Sequence, residues 1–378
     1  MSIDPAPQAG PNNSLTDVPG LRVGHHTAIG DGFLTGTTVI LAPDGGMAAG
    51  VDVRGGGPAT HETDLLEHTA SVERIHAVVL TGGSAFGLST CTSVMNELAD
   101  RGIGLPVGPN PGEVVPLVPG AALFDLGRGG SFRSRPVPEF GALALYDALT
   151  SANEQQVAQG CVGAGTGAQT SNLKGGIGTA SMVLPDGVTV AALAAVNAAG
   201  SPVDRRTGAL LGGHLLLPAD GPSPPVPTGS ARQAILEITA RKPAVRPFTA
   251  GTTTSTGQQA QQSTESDIIR NTTLVVVATD AALTKAQCTK LAAVAQNGLA
   301  RALNPVHTMF DGDTVFGIST GTAGTPAPVD FHQITISGAD VVTRSIVRAL
   351  LAATTTVTPA GQWPSWSDIA NGVNAGSS

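Results

Sequence analysis

Apolar residues cluster along the chain in patterns that predict a mixed α/β protein. Unbroken runs at residues 38–42, 76–81 and 188–196 read as strands. The last has β-branched members at its ends, the pattern of a strand buried on both faces, and it stops at Asn197. Residues 76–81 lead into Gly82-Gly83-Ser84-Ala85-Phe86-Gly87-Leu88, a glycine turn opening a helix that ends near Asp100. A further core strand covers Leu274-Val275-Val276-Val277-Ala278-Thr279. A helix follows over residues 284–303, with Leu291, Val294, Ala295, Gly298, Leu299 and Ala302 on one face. Residues 315–320 and 333–337 are predicted strands, and residues 340–352 a helix.

Polar segments punctuate this order. Residues 1–14, rich in Pro, Gly, Asn and Ser, predict a loose arm. Residues 218–270 predict a flexible loop: they open with Pro218-Ala219-Asp220-Gly221-Pro222, and 252–264 are almost entirely Thr, Ser, Gly, Gln and Ala. A helical patch at 231–241 interrupts the loop, and the tail at 353–378 reads as peripheral. A flexible segment abutting a core strand is the first pointer to function.

Composition narrows the function classes. With 378 residues, 41% hydrophobic and only 3% aromatic, the chain can bury a large core of Ala, Val, Leu and Ile. Its net charge of -8, with both signs interspersed, offers no basic stripe, so nucleic acid is not an expected partner. No run reaches the roughly 18 apolar residues of a membrane span, and the first thirty residues lack a secretion signal, so a cytoplasmic protein is expected. Cys91, Cys161 and Cys288 are too few and too scattered for a disulfide framework or a zinc site, and read as small buried hydrophobes. His61-Glu62 lacks a second histidine at the spacing a metal motif needs, so neither metal nor cofactor is expected.

The candidate chemistry sits where the loop meets the strand, at Arg270-Asn271-Thr272-Thr273. A threonine hydroxyl is a weak nucleophile until a base stands beside it, and a newly freed α-amino group on the same residue is such a base. Its unperturbed pKa, near 8, suits neutral pH. For this to arise, Thr272 must attack the Asn271 carbonyl, shift the acyl group from nitrogen to oxygen, and let water release the new terminus. Read alone, the segment is also an ordinary turn; it matches a glycosylation acceptor too, but without a secretion signal that reading is idle. Elsewhere, Ser84 fails the nucleophile-elbow pattern because Phe86 replaces its last glycine, and reads as a turn residue. Gly163-Ala164-Gly165-Thr166-Gly167 reads as a close-approach loop near the site. Glu113, in Pro111-Gly112-Glu113, is a candidate for pairing with a substrate amine, or an ordinary loop carboxylate.

An ordered series of motifs adds a resemblance. Residues 15–25, Val51-Asp52-Val53-Arg54-Gly55-Gly56, residues 81–88, Val162-Gly163-Ala164-Gly165-Thr166-Gly167, Lys174-Gly175-Gly176-Ile177-Gly178-Thr179 and Val275-Val276-Val277-Ala278-Thr279-Asp280 together resemble the L-aminopeptidase/D-esterase family. That family includes β-peptidyl aminopeptidases and nylon-oligomer hydrolases, and the similarity runs from about residue 15 to 352. It implies an αββα four-layer sandwich of the N-terminal-nucleophile type, self-cleaved into residues 1–271 and 272–378 and assembled as a tetramer of αβ units. It also implies site roles: Thr272 as nucleophile, Asn197 as oxyanion donor, Lys174 as a basic residue orienting Thr272, and Asp311 and Asp313 orienting the freed amine. The pair Asn271-Thr272 resembles the nylon-oligomer branch. The expected activity is hydrolysis of small peptides, β-peptides, amino-acid amides or esters, or ω-amino-acid oligomers. Two alternatives stand beside it: an acyltransferase of the ornithine acetyltransferase type, and a non-catalytic assembly protein.

Overall fold

A computed structural model describes residues 7–151, 156–241 and 271–372. Twelve strands carry the fold. They are β1 (Arg22–Gly30), β2 (Phe33–Leu41), β3 (Ala48–Val53), β4 (Thr60–His61), β5 (Ala77–Thr81), β6 (Gly120–Ala122), β7 (Ile177–Val183), β8 (Thr189–Ala195), β9 (Leu274–Thr279), β10 (Thr314–Ser319), β11 (Thr356–Thr358) and β12 (Gly361–Trp363). The helices are α1 (Ser89–Ala99), α2 (Pro138–Thr150), α3 (Gly229–Ala240), α4 (Lys285–Ala302), α5 (Pro328–Ala352) and α6 (Trp366–Ala370). One five-stranded sheet runs β1-β2-β5-β6-β4, and the other β7-β8-β9-β10-β3. In the second sheet β9 and β10 are parallel, while β8 and β3 flank them antiparallel.

Alternation along the central strands sorts the core into three slabs. On β9, Leu274, Val276 and Ala278 join Leu193 of β8, Phe316 of β10, and Ile40, Val78 and Leu80 of the opposite sheet. Val275 and Val277 point the other way, toward Leu291, Ala295 and Leu299 of α4 and Val342 and Ile346 of α5. Across the first sheet, Val39 and Val79 face Val94 of α1 and Leu145 of α2. Every residue of β8, β9 and β10 is buried, so these strands read as continuous apolar runs. The result is the helix–sheet–sheet–helix order implied by the resemblance.

Three expectations are corrected. Residues 333–337 are not a strand but the second turn of α5, which starts at Pro328. Their Ile-Thr-Ile alternation is locally two-fold, yet Ile334, Gly338, Val341, Val342, Ser345 and Ile346 form a longer buried helical stripe, and the longer pattern wins. The tail is not peripheral: Trp366 is 1% exposed and its indole N–H donates to Gly208 O at 2.9 Å. Pro364 O accepts from the Lys174 N–H, tying the tail to the site loop. The N-terminal arm is anchored from Gln8 onward. Asn13 Oδ1 accepts from Arg344 and from the Ser181 N–H, while Arg344, fully buried, also clasps Asp220. That clasp pins the 218–220 turn as well, and α3 realises the predicted helical patch. Residues 242–270, the bulk of the predicted loop, lie outside the described residues.

Candidate active site

The junction residues stand at the entry to β9. Asn271 forms an isolated parallel bridge with Asp311, and its N–H donates to Phe310 O at 3.0 Å. Its carbonyl oxygen accepts from the Gly312 N–H at 3.1 Å and from the Thr272 hydroxyl at 2.6 Å. The Thr272 N–H donates to Asn197 O at 2.6 Å. Thr272 is thus fixed at both its amide and its hydroxyl, with the hydroxyl against the carbonyl that precedes it. Gly312 must lack a side chain, since a Cβ there would meet Gly57 O at 2.5 Å. Asn271 and Thr272 open onto a cavity of about 360 Å³, whose remaining walls are Gly57, Pro58, Ala59, Ser84, Ala85, Ala122, Phe124, Met309 and Phe310.

Asp311 and Asp313 lie beside the junction, but neither carboxylate holds Thr272 itself. Asp311 accepts from the Ala199 N–H and from the amide and hydroxyl of Thr308. Burial, reinforced by the neighbouring Asp313 charge, raises its pKa above the ordinary carboxylate value. Asp313 accepts from the Thr273 N–H at 2.8 Å, and its second oxygen takes the His307 amide and Nδ1, the latter at 2.9 Å. Orientation therefore reaches Thr272 through the backbone one residue on. His307 escaped the sequence reading because nothing local marks it; the structure holds it at φ 56°, in the left-handed region.

Asn197 is fully buried, and an unexpected residue orients it. Arg128 donates one guanidinium N–H to Asn197 Oδ1 and one to Gly167 O, each at 2.6 Å, and reaches Asn271 Oδ1 at 3.4 Å. The Gln169 N–H shares Asn197 Oδ1, so the amide is turned with its NH₂ toward Phe124 O at the cavity wall. A neutral donor held in this way suits a developing oxyanion. Burial lowers the Arg128 pKa to about 10 despite the Asp125 carboxylate nearby, and raises that of Asp125 itself. Asp125 in turn accepts from the Gly83 N–H at 2.7 Å, linking the glycine turn to the site. The sequence carries one faint signal of this pair: an Asp-Leu-Gly-Arg-Gly-Gly stretch outside any periodic element.

Lys174 does not orient Thr272. Its three ammonium protons go to Gly165 O, Ala168 O and Gly175 O, so it braces the glycine loop instead, and burial pushes its pKa down to about 8. The loop makes the close approaches expected of it: a Cβ on Gly167 would meet Leu34 O at 2.2 Å. Glu113 lies exposed on a hairpin, held by the Asn110 side chain, and does not line the cavity. Cys91 and Cys288 are buried as expected, whereas Cys161 is half-buried.

Comparison with known proteins agrees with this architecture. The chain is 42% identical over 365 residues to an uncharacterized aminopeptidase of Mycobacterium leprae, covering 91% of this chain and 92% of that one. It is 26% identical over 355 residues to a 6-aminohexanoate-oligomer endohydrolase of Kocuria, covering 86% of each. Among solved structures, a Burkholderia β-aminopeptidase superposes with a TM-score of 0.67 at 23% identity, covering 98% of this chain and 97% of that one. The L-aminopeptidase D-Ala-esterase/amidase of Ochrobactrum anthropi, described as a variant of the N-terminal-nucleophile hydrolase fold, also gives 0.67, at 21% identity and 95% and 92% coverage. The peptidase family S58 model matches residues 13–363, taking in both sheets, the junction and the first part of the tail. With the two-sheet sandwich and the buried threonine site in place, that match makes the chain a member of peptidase family S58.

Proposed function

We propose that the protein cleaves itself between Asn271 and Thr272 and then hydrolyses small amides or esters through Thr272. The observation that carries this reading is the Thr272 hydroxyl, 2.6 Å from the carbonyl oxygen of Asn271 in a junction otherwise immobilised by Asn197, Phe310 and Gly312. Attack of Thr272 Oγ on the Asn271 carbonyl carbon closes a five-membered ring, with the Gly312 N–H on the oxygen that gains charge. Collapse, with the Oγ proton passed to the departing nitrogen, breaks the C–N bond and leaves an ester and the free Thr272 amine. Water then hydrolyses the ester, releasing the Asn271 carboxylate and restoring the Thr272 hydroxyl.

In turnover, that amine takes the proton of Oγ as the hydroxyl attacks a substrate carbonyl. Asn197 Nδ2 donates to the oxyanion, the amine returns its proton to the leaving group, and water resolves the acyl-enzyme. Peptides, β-peptides, amino-acid amides and ω-amino-acid oligomers are the candidate substrates, in line with the names of the relatives. Tetramers of αβ units belong to the same proposal and are checked by light scattering.

The experiment is intact mass spectrometry of the purified protein with amino-terminal sequencing. We expect a fragment of 107 residues, 378 minus 271, beginning at Thr272. Thr272→Ala should stay one chain and lose activity; normal turnover by that variant would end the proposal.

A further inference from the structure

A second cavity, of about 710 Å³, opens at the end of the first sheet away from Thr272. It is walled where β1 begins at Arg22 and β2 ends at Leu41, by the segment 71–76 that enters β5 and by the turn at 102–106. β5 runs from this cavity toward the catalytic one: His76 precedes the strand, and the turn that follows it carries Ser84 to the wall beside Thr272. At about 3.3 Å per residue, the strand alone sets the two cavities roughly 15 Å apart.

The buried polar group of this second cavity is His76, only 8% exposed. Its backbone is fully engaged: the N–H donates to Leu117 O at 2.9 Å, and the carbonyl accepts from the Ala42 N–H at 3.0 Å. Nδ1 accepts from the Leu117 N–H at 3.0 Å, so the neutral ring carries its proton on Nε2. Burial pushes the His76 pKa down, which keeps the ring neutral at neutral pH. With Nδ1 turned into the protein, the Nε2–H edge faces the cavity, and no described residue accepts from it. A buried donor in that position calls for an acceptor from the cavity itself.

Two cations stand beside it. Arg22, half-buried, donates to Leu149 O at 3.4 Å, and Arg74, exposed, to Gly46 O at 2.9 Å; neither forms an ion pair with a described residue. Leu41, Ile103 and Leu105 supply apolar wall. Asp44 and Glu73 also border the cavity, but both lie in solvent, where screening weakens their repulsion of an anion. We infer that this cavity is a second ligand site, taking a small carboxylate with a short apolar tail. The carboxylate accepts from His76 Nε2 and the Arg22 guanidinium, with the Arg74 charge at the rim, and the tail lies along the apolar wall. The site makes no use of Thr272 and stands apart from the proposed hydrolysis.

The test is a ligand-observed NMR titration of the purified protein with hexanoate. A ligand of that size should saturate with a Kd of about 1 mM or tighter. Hexylammonium, similar in length but opposite in charge, should bind about tenfold more weakly or worse. Inorganic phosphate, which has no tail, should not displace hexanoate at equal concentration. Arg22→Met gives up one long carbonyl bond within the protein and should weaken hexanoate by about five- to tenfold. Hexanoate that fails to saturate by about 20 mM overturns the inference, as does hexylammonium binding as tightly or phosphate displacing it. An unchanged Kd in Arg22→Met overturns it too, because the carboxylate would then lie elsewhere, the Thr272 cavity included.

Discussion

Replacing Arg128 by Met separates the stability of the site from its chemistry. Arg128 gives 2.6 Å hydrogen bonds to Asn197 Oδ1 and Gly167 O, and it is the buried counter-charge of Asp125. Methionine fills similar volume but donates nothing. Gly167 O loses the Arg128 bond, Asn197 Oδ1 keeps only the Gln169 N–H, and Asp125 is left without its cation. Breaking a buried pair from one side typically costs about 3–5 kcal/mol. Burial already raises the Asp125 pKa, so protonation of that carboxyl limits the loss toward the lower figure. A second substitution, Asp125→Asn, removes the stranded charge while keeping an acceptor for the Gly83 N–H. The double variant should recover about 1–2 kcal/mol, read as the urea midpoint by circular dichroism. Its turnover should nevertheless stay roughly tenfold to a hundredfold below the unmodified protein, because Asn197 is no longer held with its NH₂ toward the cavity. Fragment masses, measured alongside, show whether self-cleavage slows as well. A double variant that regains stability and also hydrolyses at the unmodified rate would refute the claim that Arg128 orients the oxyanion donor.

Other consequences can be measured directly. His307→Ala removes the Nδ1 contact with Asp313 and places a poorly suited residue at φ 56°, so kcat should fall about three- to tenfold. His307→Asn tolerates that backbone and keeps a donor, so it should restore most of the rate; equal rates in all three proteins would remove His307 from the site. Trp366→Ala should lower stability by about 3–5 kcal/mol, seen as a lower urea midpoint, and an unchanged midpoint would return the tail to a peripheral role. Burial pushes the Asp220 pKa up, but the hydrogen bonds and charge of Arg344 outweigh it and hold the folded value below the ordinary one. Its contribution is therefore complete above the unfolded pKa of about 3.9 and is lost as pH falls through the lower folded value. Asp220→Asn should flatten that acid limb of the midpoint-against-pH curve; an identical limb in both proteins would contradict the assignment.

The central strands and α4 were legible in sequence because their side-chain periods are strong and uninterrupted. The 274–279 run became β9 residue for residue. Motif order singles out Thr272, Asn271, Asn197, Asp311 and Asp313, and the fold gathers them at one end of the second sheet. What stayed hidden depends on contacts between distant segments. Nothing near Arg128 announces that its guanidinium will meet Asn197, 69 positions on. The resemblance implies that Lys174 orients Thr272, and a lysine beside glycines does not reveal that three carbonyl oxygens will close around it. Local pattern also misled at 333–337, where three residues imitate a strand inside a twenty-five-residue helix. The tail was undervalued because a single tryptophan, once inserted, outweighs the polar company around it.

The strand order of the second sheet bears on how the two products of self-cleavage would behave. β9 and β10 belong to the downstream piece, yet they are wedged between β8 and β3 of the upstream piece. Each product is a torn half of one interleaved sheet, with open hydrogen-bonding edges wherever the other is missing. Mixing the two after separate synthesis should therefore yield aggregate rather than enzyme, whereas refolding them together gives each ragged edge its mate. The covalent link before the cut would then serve as an assembly guide, discarded once the strands have met.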